Sequence, residues 1–316
     1  MKKFILFFVV ILTLLVINCQ LSVSKAFAQE FSLSISPPLT QILIKPGTKV
    51  TQAYQLVSSG EGGLYSMHLF PFSPDGINGE IDLDETSQNS SWFSLLTPQI
   101  TFGEKFNIPA GSTTTVVLQI NVPAEVAQKD YYYSLIFQSE NEKSLGESSS
   151  QTRGRIGSNL LISVTNDENP FKIAEIQKFS APLIIDSLTK INYSFILKNV
   201  GRTLFKPIGR ITVNNLFSRR KTNLELAPQN VLAYSERKIF CLKEESLTDC
   251  NLDSPVLLGL YKAKLDFTLD GESKIYQAEV VTLALPFSLI IVLAVICIIL
   301  TTVINKIKVK NIVADK

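Results

Sequence analysis

Residues 131–164 read YYYSLIFQSENEKSLGESSSQTRGRIGSNLLISV, and this stretch decides the fold. It begins with an aromatic, alternating run and returns, after a polar middle, as a second apolar run. Alternation of apolar and polar residues with period two is typical of a β-strand that buries one face. The stretch therefore predicts two adjacent strands joined by a long polar loop that runs from Glu140 to Arg155.

The same alternation extends over the chain on both sides of this stretch. Upstream it occurs in QILIKPGTKVTQAYQLV and TTTVVLQINV, and downstream in KINYSFILKNVG, PIGRITVNN, LYKAKLDFTL and KIYQAEVVTL. Short strands separated by frequent Gly, Pro, Asn and Asp turn signals are typical of antiparallel sandwiches. We predict an all-β fold of two tandem immunoglobulin-like β-sandwiches, followed by a single C-terminal transmembrane helix.

The polar segment NDENP, residues 166–170, predicts the boundary between the two sandwiches. It assigns residues 29–165 to the first sandwich and 166–282 to the second. In such folds a tyrosine near the start of the penultimate strand often ties the sheet corner through its hydroxyl group. Tyr131 or Tyr133 is the candidate in the first sandwich, and Tyr261 is the candidate in the second.

The N-terminal residues 1–28 have the features of a secretory signal peptide. Two lysines precede a long apolar run, and the residues AFA at 26–28 match the small-residue cleavage pattern. Cleavage there predicts a mature chain that begins at Gln29 and folds outside the cytoplasm.

The C-terminal region predicts a transmembrane helix over residues 283–305 and a basic tail over 306–316. Residues 280–305 carry no charge, and 287–304 alone would form about 27 Å of helix. Lys306, Lys308 and Lys310 follow directly, which predicts a cytoplasmic tail. A buried core helix is the alternative. The predicted localisation is the cell membrane, single-pass, with the N-terminal domains extracytoplasmic and the C-terminus cytoplasmic.

The charge of the chain argues against a nucleic-acid partner. The formal net charge is +2 for all 316 residues, −6 for residues 29–165 and +2 for residues 166–282. Nucleic-acid-binding domains are usually strongly basic. We therefore expect any contact of the acidic first sandwich with a glycan to rely on hydrogen bonds and stacking.

Two of the four cysteines are candidates for a disulfide. Cys19 lies in the predicted signal peptide and Cys297 in the predicted membrane helix, which leaves Cys241 and Cys250. A pair nine residues apart in an oxidising compartment is suited to closing a local loop. A metal site is the alternative, but the segment has neither a C-x-x-C pair nor a nearby histidine.

No sequence motif predicts catalysis, and we expect no catalytic, cofactor-binding or metal-binding residues. The chain lacks G-x-S-x-G, H-E-x-x-H and P-loop patterns. His68 is the single histidine and has no local nucleophile or acid beside it. The S-x-x-K pattern at 187–190 also occurs at three other places, which indicates chance. We therefore predict that the protein is not an enzyme.

Three further segments have both a functional and a structural interpretation. The acidic run from Asp75 to Glu85 fails the EF-hand pattern because Ile77 stands at the third position, so a polar turn is favoured over a looser calcium site. Trp92 fits core packing better than sugar stacking. The basic run 219–221 fits a solvated loop tip better than an anion contact.

The polar loop between the two strands is the candidate partner-binding segment. It is far longer than the about 2–5 residues usual in hairpins, and loops at the end of a sandwich often bind ligands. The candidate binding residues are Glu140, Glu142 and Glu147 near its start and Arg153 and Arg155 at its end. A tolerated insertion without function is the alternative.

The first sandwich resembles the N-terminal domain of the WxL-interacting proteins, which are membrane-anchored bacterial surface proteins. The resemblance covers residues 31–165 and rests on Ser36-Pro37, Lys45-Pro46-Gly47, the stretch DGINGEI at 75–81, and IPAG at 108–111. It implies a first domain that binds peptidoglycan, a second that binds a WxL-type partner, and a C-terminal anchor. The second sandwich departs from that pattern and looks more like other bacterial surface modules.

These observations together predict a non-enzymatic, membrane-anchored protein of the bacterial cell envelope. We expect it to bind wall polymer (peptidoglycan), another surface protein, or both, without a cofactor. The alternative is a membrane-tethered assembly or chaperone-like factor that holds secreted subunits by an exposed strand edge.

Overall fold

A computed structural model describes residues 33–59, 62–87, 91–140 and 154–314, without the side chains of 303 and 305–314. Strands dominate these residues and form two β-sandwiches, which are followed by the helix α1 (Phe287–Ala314). The predicted all-β class is confirmed. The predicted signal peptide lies outside the described residues.

The first sandwich consists of two sheets that enclose one apolar core. One sheet has the order β1-β3-β8-β6, and the other has the order β2-β10-β9-β4-β5, with β7 also paired to β4. The strands are β1 (Leu33–Ser36), β2 (Leu39–Ile44), β3 (Lys49–Ser58), β4 (Gly63–Asp75), β5 (Glu80–Leu83), β6 (Phe93–Leu95), β7 (Lys105–Ile108), β8 (Thr113–Asn121), β9 (Asp130–Ser139) and β10 (Arg155–Val164). Tyr54 and Phe137 are the largest side chains of this core that are inaccessible to solvent.

The chain passes from one sheet to the other within its first two strands. β1 is antiparallel to β3, whereas β2 is parallel to β10 in the opposite sheet. Ser36-Pro37 is a cis peptide bond at this crossing. The crossing leaves β2 at the end of its sheet, where it pairs with β10 alone.

The second sandwich has a corresponding arrangement. One sheet has the order β11-β13-β16, with β19 also paired to β13, and the other has the order β12-β21-β20-β14-β15. The strands are β11 (Ala174–Ser180), β12 (Ile184–Asp186), β13 (Ile191–Asn199), β14 (Pro207–Asn215), β15 (Lys221–Glu225), β16 (Glu236–Lys238), β17 (Cys241–Lys243), β18 (Ser246–Thr248), β19 (Cys250–Leu252), β20 (Gly259–Leu269) and β21 (Tyr276–Leu285). Its core is centred on Phe195, Phe205 and Phe267.

The penultimate strand of each sandwich begins with a tyrosine whose hydroxyl bonds to the backbone nearby. The Tyr131 hydroxyl in β9 donates to the carbonyl oxygen of Ala127 at 3.1 Å. The Tyr261 hydroxyl in β20 accepts the N–H of Leu258 at 3.2 Å. Tyr131 therefore makes a corner contact of the predicted kind in the first sandwich.

The C-terminal helix requires a correction. Among the described residues, no helix is long and apolar enough to cross a membrane. This finding contradicts the predicted transmembrane helix and the predicted single-pass membrane localisation. The side chains of Lys306, Lys308 and Lys310 lie outside the described residues.

Candidate functional site

The two sandwiches contact each other through a small apolar cluster. Phe72 in β4 and Leu161 in β10 pack on Leu232, which lies between β15 and β16 of the second sandwich. The rings of Phe72 and Tyr132 are stacked, with centroids 5.6 Å apart. The cluster removes Phe72 and Leu161 on the outer face of the β10-β9-β4 sheet from water and so favours one arrangement of the sandwiches.

A buried polar network lies beside this cluster. The Tyr132 hydroxyl donates to Asp130 Oδ2 at 2.8 Å and accepts the N–H of Ala233 at 2.8 Å. Asp130 Oδ2 also accepts the N–H of Leu204 at 2.6 Å. Burial raises the pKa of Asp130, although these hydrogen bonds and the charge of Lys172 act in the opposite direction. Two loops of the second sandwich, at Leu204 and Ala233, are thus hydrogen-bonded to side chains at the start of β9.

A second polar contact joins the β4–β5 turn to β16. The N–H of Lys238 donates to the carbonyl oxygen of Ile77 at 2.7 Å. The guanidinium of Arg237 lies so close to Gly79 that an added Cβ would come within 2.5 Å of Nη2. Gly79 also has φ +90°, which L side chains rarely adopt. The positive φ therefore favours glycine at 79, whereas an added Cβ would require the flexible end of the Arg237 side chain to shift.

An open cleft lies between the two contacts. Its volume is about 390 Å³. Residues of both sandwiches line it, including Leu39, Phe72 and Asn159 on one side and Lys206, Asn230 and Arg237 on the other. Arg237 Nη1 donates to the Asn230 carbonyl oxygen at 2.8 Å, and burial lowers the pKa of Arg237.

The free edge of β2 borders this cleft. The N–H groups of Asn159 and Thr165 donate to the carbonyl oxygens of Pro38 and Ile44, both at 3.0 Å. In a parallel pair, residues that bond to the neighbouring strand alternate with residues whose N–H and C=O groups point away from it. Leu39, Gln41 and Leu43 therefore direct their backbone groups away from β10, and no described strand pairs with that side.

The side chains of these three residues face solvent together. Leu39 is 42% exposed and Leu43 is 52% exposed. The side-chain amide of Gln41 lies between them and donates to Asn230 Oδ1 of the second sandwich at 2.8 Å. Thr40 and Ile44 point to the opposite face and are buried. The edge thus combines unpaired backbone groups with an exposed, mostly apolar face.

Charge distinguishes β2 from other strands at the ends of the sheets. Proteins usually protect exposed edges with charged residues, bulges or very short strands. The end strands β5, β7, β11, β12 and β15 each contain a charged residue, and β1, β6 and β19 have four residues or fewer. β2 has six residues, LTQILI, and none is charged. It is the longest unprotected end strand among the described residues.

The described ends of the predicted partner-binding loop do not line the cleft. Glu140 accepts hydrogen bonds from Ser66 Oγ at 2.8 Å and Gln138 Nε2 at 3.0 Å. Arg155 Nε donates to Gln138 Oε1 at 2.7 Å, and its Nη1 bonds to Glu85 at 2.6 Å. These contacts hold the Ser139 end of β9, and Arg155 lies about 13 Å along β10 from Asn159, which lines the cleft. Glu142, Glu147 and Arg153 lie outside the described residues.

The other residues considered for chemistry have structural contacts. His68 stacks on Phe70 at 5.5 Å and lies 3.0 Å from Ser66 Oγ. Trp92 packs edge-on against Tyr131 at 4.7 Å, at the margin of the core. In the acidic run, hydrogen bonds from Ser87 and Thr86 lower the pKa of Asp84 to about 2.

The remaining candidates also have definite positions. Cys241 and Cys250 are joined by a disulfide with Cα atoms 5.0 Å apart. The basic run 219–221 is exposed at the β14–β15 turn. The described residues contain no group of three or more side chains that could hold a metal ion. Sequence reasoning missed the β2 edge and the Asp130–Tyr132 network, and the absence of charge in LTQILI was the one available signal for the edge.

Comparisons with known proteins give structural similarity only. No protein-family model matches the chain, and no curated protein matches it. The class 5 fimbriae chaperone CfaA is 12% identical, with 80% of this chain and 100% of that chain covered and a TM-score of 0.39. The SafA pilin–SafB chaperone complex of Salmonella enterica is 8% identical, with 80% of this chain and 98% of that chain covered and a TM-score of 0.35.

A third solved structure gives a similar result. It is the CsuC–CsuE chaperone–tip adhesion subunit pre-assembly complex of the archaic chaperone-usher Csu pili of Acinetobacter baumannii. Its identity is 16%, its TM-score is 0.33, and the match covers 65% of this chain and 88% of that chain. At these values the similarities do not assign a function. The resemblance to WxL-interacting proteins remains a prediction.

Proposed function

We propose that the protein is a non-enzymatic binding protein that holds an extended segment of a partner protein against the free edge of β2. The observation that carries this proposal is the edge itself, a six-residue end strand without charge beside an interdomain cleft. It corresponds to the assembly-factor alternative drawn from the sequence. The descriptions of the structural neighbours as chaperones agree with the proposal but do not carry it.

The chemistry of the edge indicates which segment would bind. In strand addition, main-chain hydrogen bonds provide the affinity and alternate side chains provide the specificity. The N–H and C=O groups of Leu39, Gln41 and Leu43 would bond to the backbone of the added strand. Its side chains on the same face would lie beside the two exposed leucines. We therefore expect a segment with apolar residues at alternate positions and no proline facing β2.

Proline at position 41 tests the proposal. The Gln41 N–H faces the free edge, so Gln41→Pro removes a donor to the added strand without removing a bond to β10. Gln41→Ala is the matched control because it keeps the N–H. We expect Gln41→Pro to weaken binding of a fluorescent 12-residue peptide of alternating Val and Thr about tenfold or more by anisotropy, and Gln41→Ala to bind within about twofold of the parent chain.

Hydrogen exchange provides an independent measurement. Bound peptide should slow amide exchange at Leu39, Gln41 and Leu43, whereas Thr40 and Ile42 face β10 and should change little. Equal peptide affinity of the two position-41 variants, or protection confined to another strand, would rule out strand addition at β2.

Wall-polymer binding is the second candidate, and a separate cavity favours it. Phe171 is 76% exposed and Tyr234 is 70% exposed beside a cavity of about 270 Å³ that Gln128, Asp167 and Arg202 also line. Tyr234 has φ 56°, an uncommon conformation for a residue other than glycine. Exposed rings next to polar side chains suit stacking on a sugar. Co-sedimentation with protein-free peptidoglycan that decreases in Tyr234→Ala would support this candidate.

A further inference from the structure

The exposed residues of the β2 edge read the same in both directions. They are Leu39, Gln41 and Leu43, so a two-fold axis through Gln41 exchanges leucine with leucine. We propose that two copies of the chain pair through β2 in an antiparallel arrangement centred on Gln41. Resting on the proposed function, this pairing would cap the edge until a partner segment displaces the second copy.

The backbone groups fit this register. All three residues direct their N–H and C=O groups away from β10, as shown above. Gln41 would lie opposite Gln41 of the second copy, and Leu39 opposite Leu43. Directly opposed residues of this kind exchange two hydrogen bonds in an antiparallel pair. The paired edges would therefore form about six hydrogen bonds and join two sheets into one continuous sheet.

The side chains fit the same register. Opposed Cβ atoms in an antiparallel pair are about 5 Å apart, so each exposed leucine would contact a leucine of the second copy. A primary amide has two N–H donors and an acceptor oxygen, and Gln41 uses one donor on Asn230. The two Gln41 side chains can therefore bond to each other across the axis.

The charges of the chain are compatible with this pairing. The nearest charged residue in sequence after β2 is Lys45, which would lie opposite Pro37. The two Lys45 residues would be about 27 Å apart along the strands, well beyond the screening length of about 8–10 Å. Pairing through β15 would instead include Lys221 and Glu225.

The size of the edge indicates a weak, reversible association. Six residues extend over about 20 Å of strand. One strand pair buries less surface than the roughly 1,200 Å² of a stable specific interface. Association should therefore depend on concentration and be open to competition by an added strand.

Cysteine cross-linking tests both the pairing and its register. The full chain would carry Cys19→Ser and Cys297→Ser so that no other free thiol remains. Gln41→Cys should give a disulfide-linked dimer under mild oxidation, because opposed Cα atoms would be about 5.5 Å apart. Leu39→Cys should not link to itself, since those Cα atoms would be about 14 Å apart, but should link to Leu43→Cys when the two are mixed.

The controls separate this proposal from the proposed function. Thr115→Cys, exposed on β8 in the other sheet, measures collisional cross-linking. Gln41→Cys cross-linking no faster than Thr115→Cys, or self-linking of Leu39→Cys at the same rate, would overturn the pairing. If cross-linking overturns the pairing while the Val/Thr peptide still binds to the chain, the proposed function stands. If the register is found but excess peptide does not slow cross-linking, the pairing stands and the proposed function fails.

Discussion

The two sandwiches share a topology but differ at the strand that runs parallel to the last one. β2 pairs with β10 over six residues, whereas β12 pairs with β21 over three. β12 ends at Asp186, whose carboxylate accepts the N–H groups of Leu188 at 2.9 Å and Ser288 at 2.7 Å. The edge of the second sandwich is thus short, charged and bonded to the start of α1, while the edge of the first is long, uncharged and open.

This difference shows that topology alone does not determine which surface can bind. Both strands occupy the same place in an immunoglobulin-like arrangement, and both follow a crossing between sheets. Length and charge at that place decide whether the edge can accept another strand. The comparison depends on the two sandwiches behaving as separate units that are held by a limited interface, and the following substitutions test that premise.

Removal of a core ring in one sandwich should give the largest effect. Phe195 is fully buried and packs against the rings of Phe179 and Phe267. Phe195→Ala should lower the free energy of unfolding of the second sandwich by about 3–5 kcal/mol. Hydrogen exchange under increasing denaturant should show early opening of the strands of the second sandwich, including β13 and β20, and not of the first. Phe137→Ala is the matched change in the first sandwich, and equal opening of both halves in either variant would indicate one cooperative unit.

Loss of the disulfide should give the next effect, again in the second sandwich alone. The bond between Cys241 and Cys250 closes a short loop, for which chain entropy gives about 2–3 kcal/mol. Cys241→Ser with Cys250→Ser should lower the unfolding free energy of the second sandwich by that amount. Reduction of the parent chain should reproduce the result. A similar loss of protection in β9 and β10 would contradict the separation of the two units.

Local patterns predicted much of each sandwich. The period-two alternation of apolar and polar residues predicted the positions of the main strands. Tyr131 and Tyr261 lie near the starts of β9 and β20. These features depend on residues close together in sequence, which is why they could be recognised. The acidic run was correctly expected to contain a turn, since Gly76 and Gly79 both have positive φ.

The domain contact and the binding edge could not be predicted in the same way. Asp130 meets Leu204, and Tyr132 meets Ala233, more than seventy residues away in each case. Such pairs depend on how two folded units settle against each other, and a single sequence carries no signal for that. The polar loop was predicted to bind a partner because of its length. Its described ends bond within the first sandwich and do not line the cleft.

Loss of one hydroxyl should weaken the contact between the sandwiches. Tyr132→Phe removes a donor to Asp130 and an acceptor for the N–H of Ala233. We expect a loss of about 1–3 kcal/mol from the unpaired buried groups. Faster amide exchange should appear at Leu204 and Ala233. Tyr131→Phe is the matched control because its hydroxyl bonds only to Ala127, and it should leave exchange at those two amides unchanged.

The smallest effect should be a pH dependence at the same contact. Burial raises the pKa of Asp130 above its ordinary value of 3.8, so the folded chain binds this proton more tightly than the unfolded chain does. The stability from this group is therefore complete below pH 3.8 and falls as pH rises through the raised pKa. Asp130→Asn cannot ionise but keeps an acceptor for Leu204 and Tyr132. The unfolding free energy of the parent minus that of Asp130→Asn should fall with rising pH from about 3 and then level off.

Asp84 provides a control of opposite sign for this titration. Hydrogen bonds from Ser87 and Thr86 lower its pKa to about 2, so its contribution to stability is present above its ordinary pKa of 3.8 and is lost as pH falls toward about 2. The parent minus Asp84→Asn difference should therefore rise with pH between about 2 and 4, at lower pH than the range in which the Asp130 difference falls. An Asp130 difference that does not change with pH would show that the pKa of Asp130 in the folded chain equals its ordinary value. The polar network would then be open to water, and the sandwiches would be free to change their relative orientation.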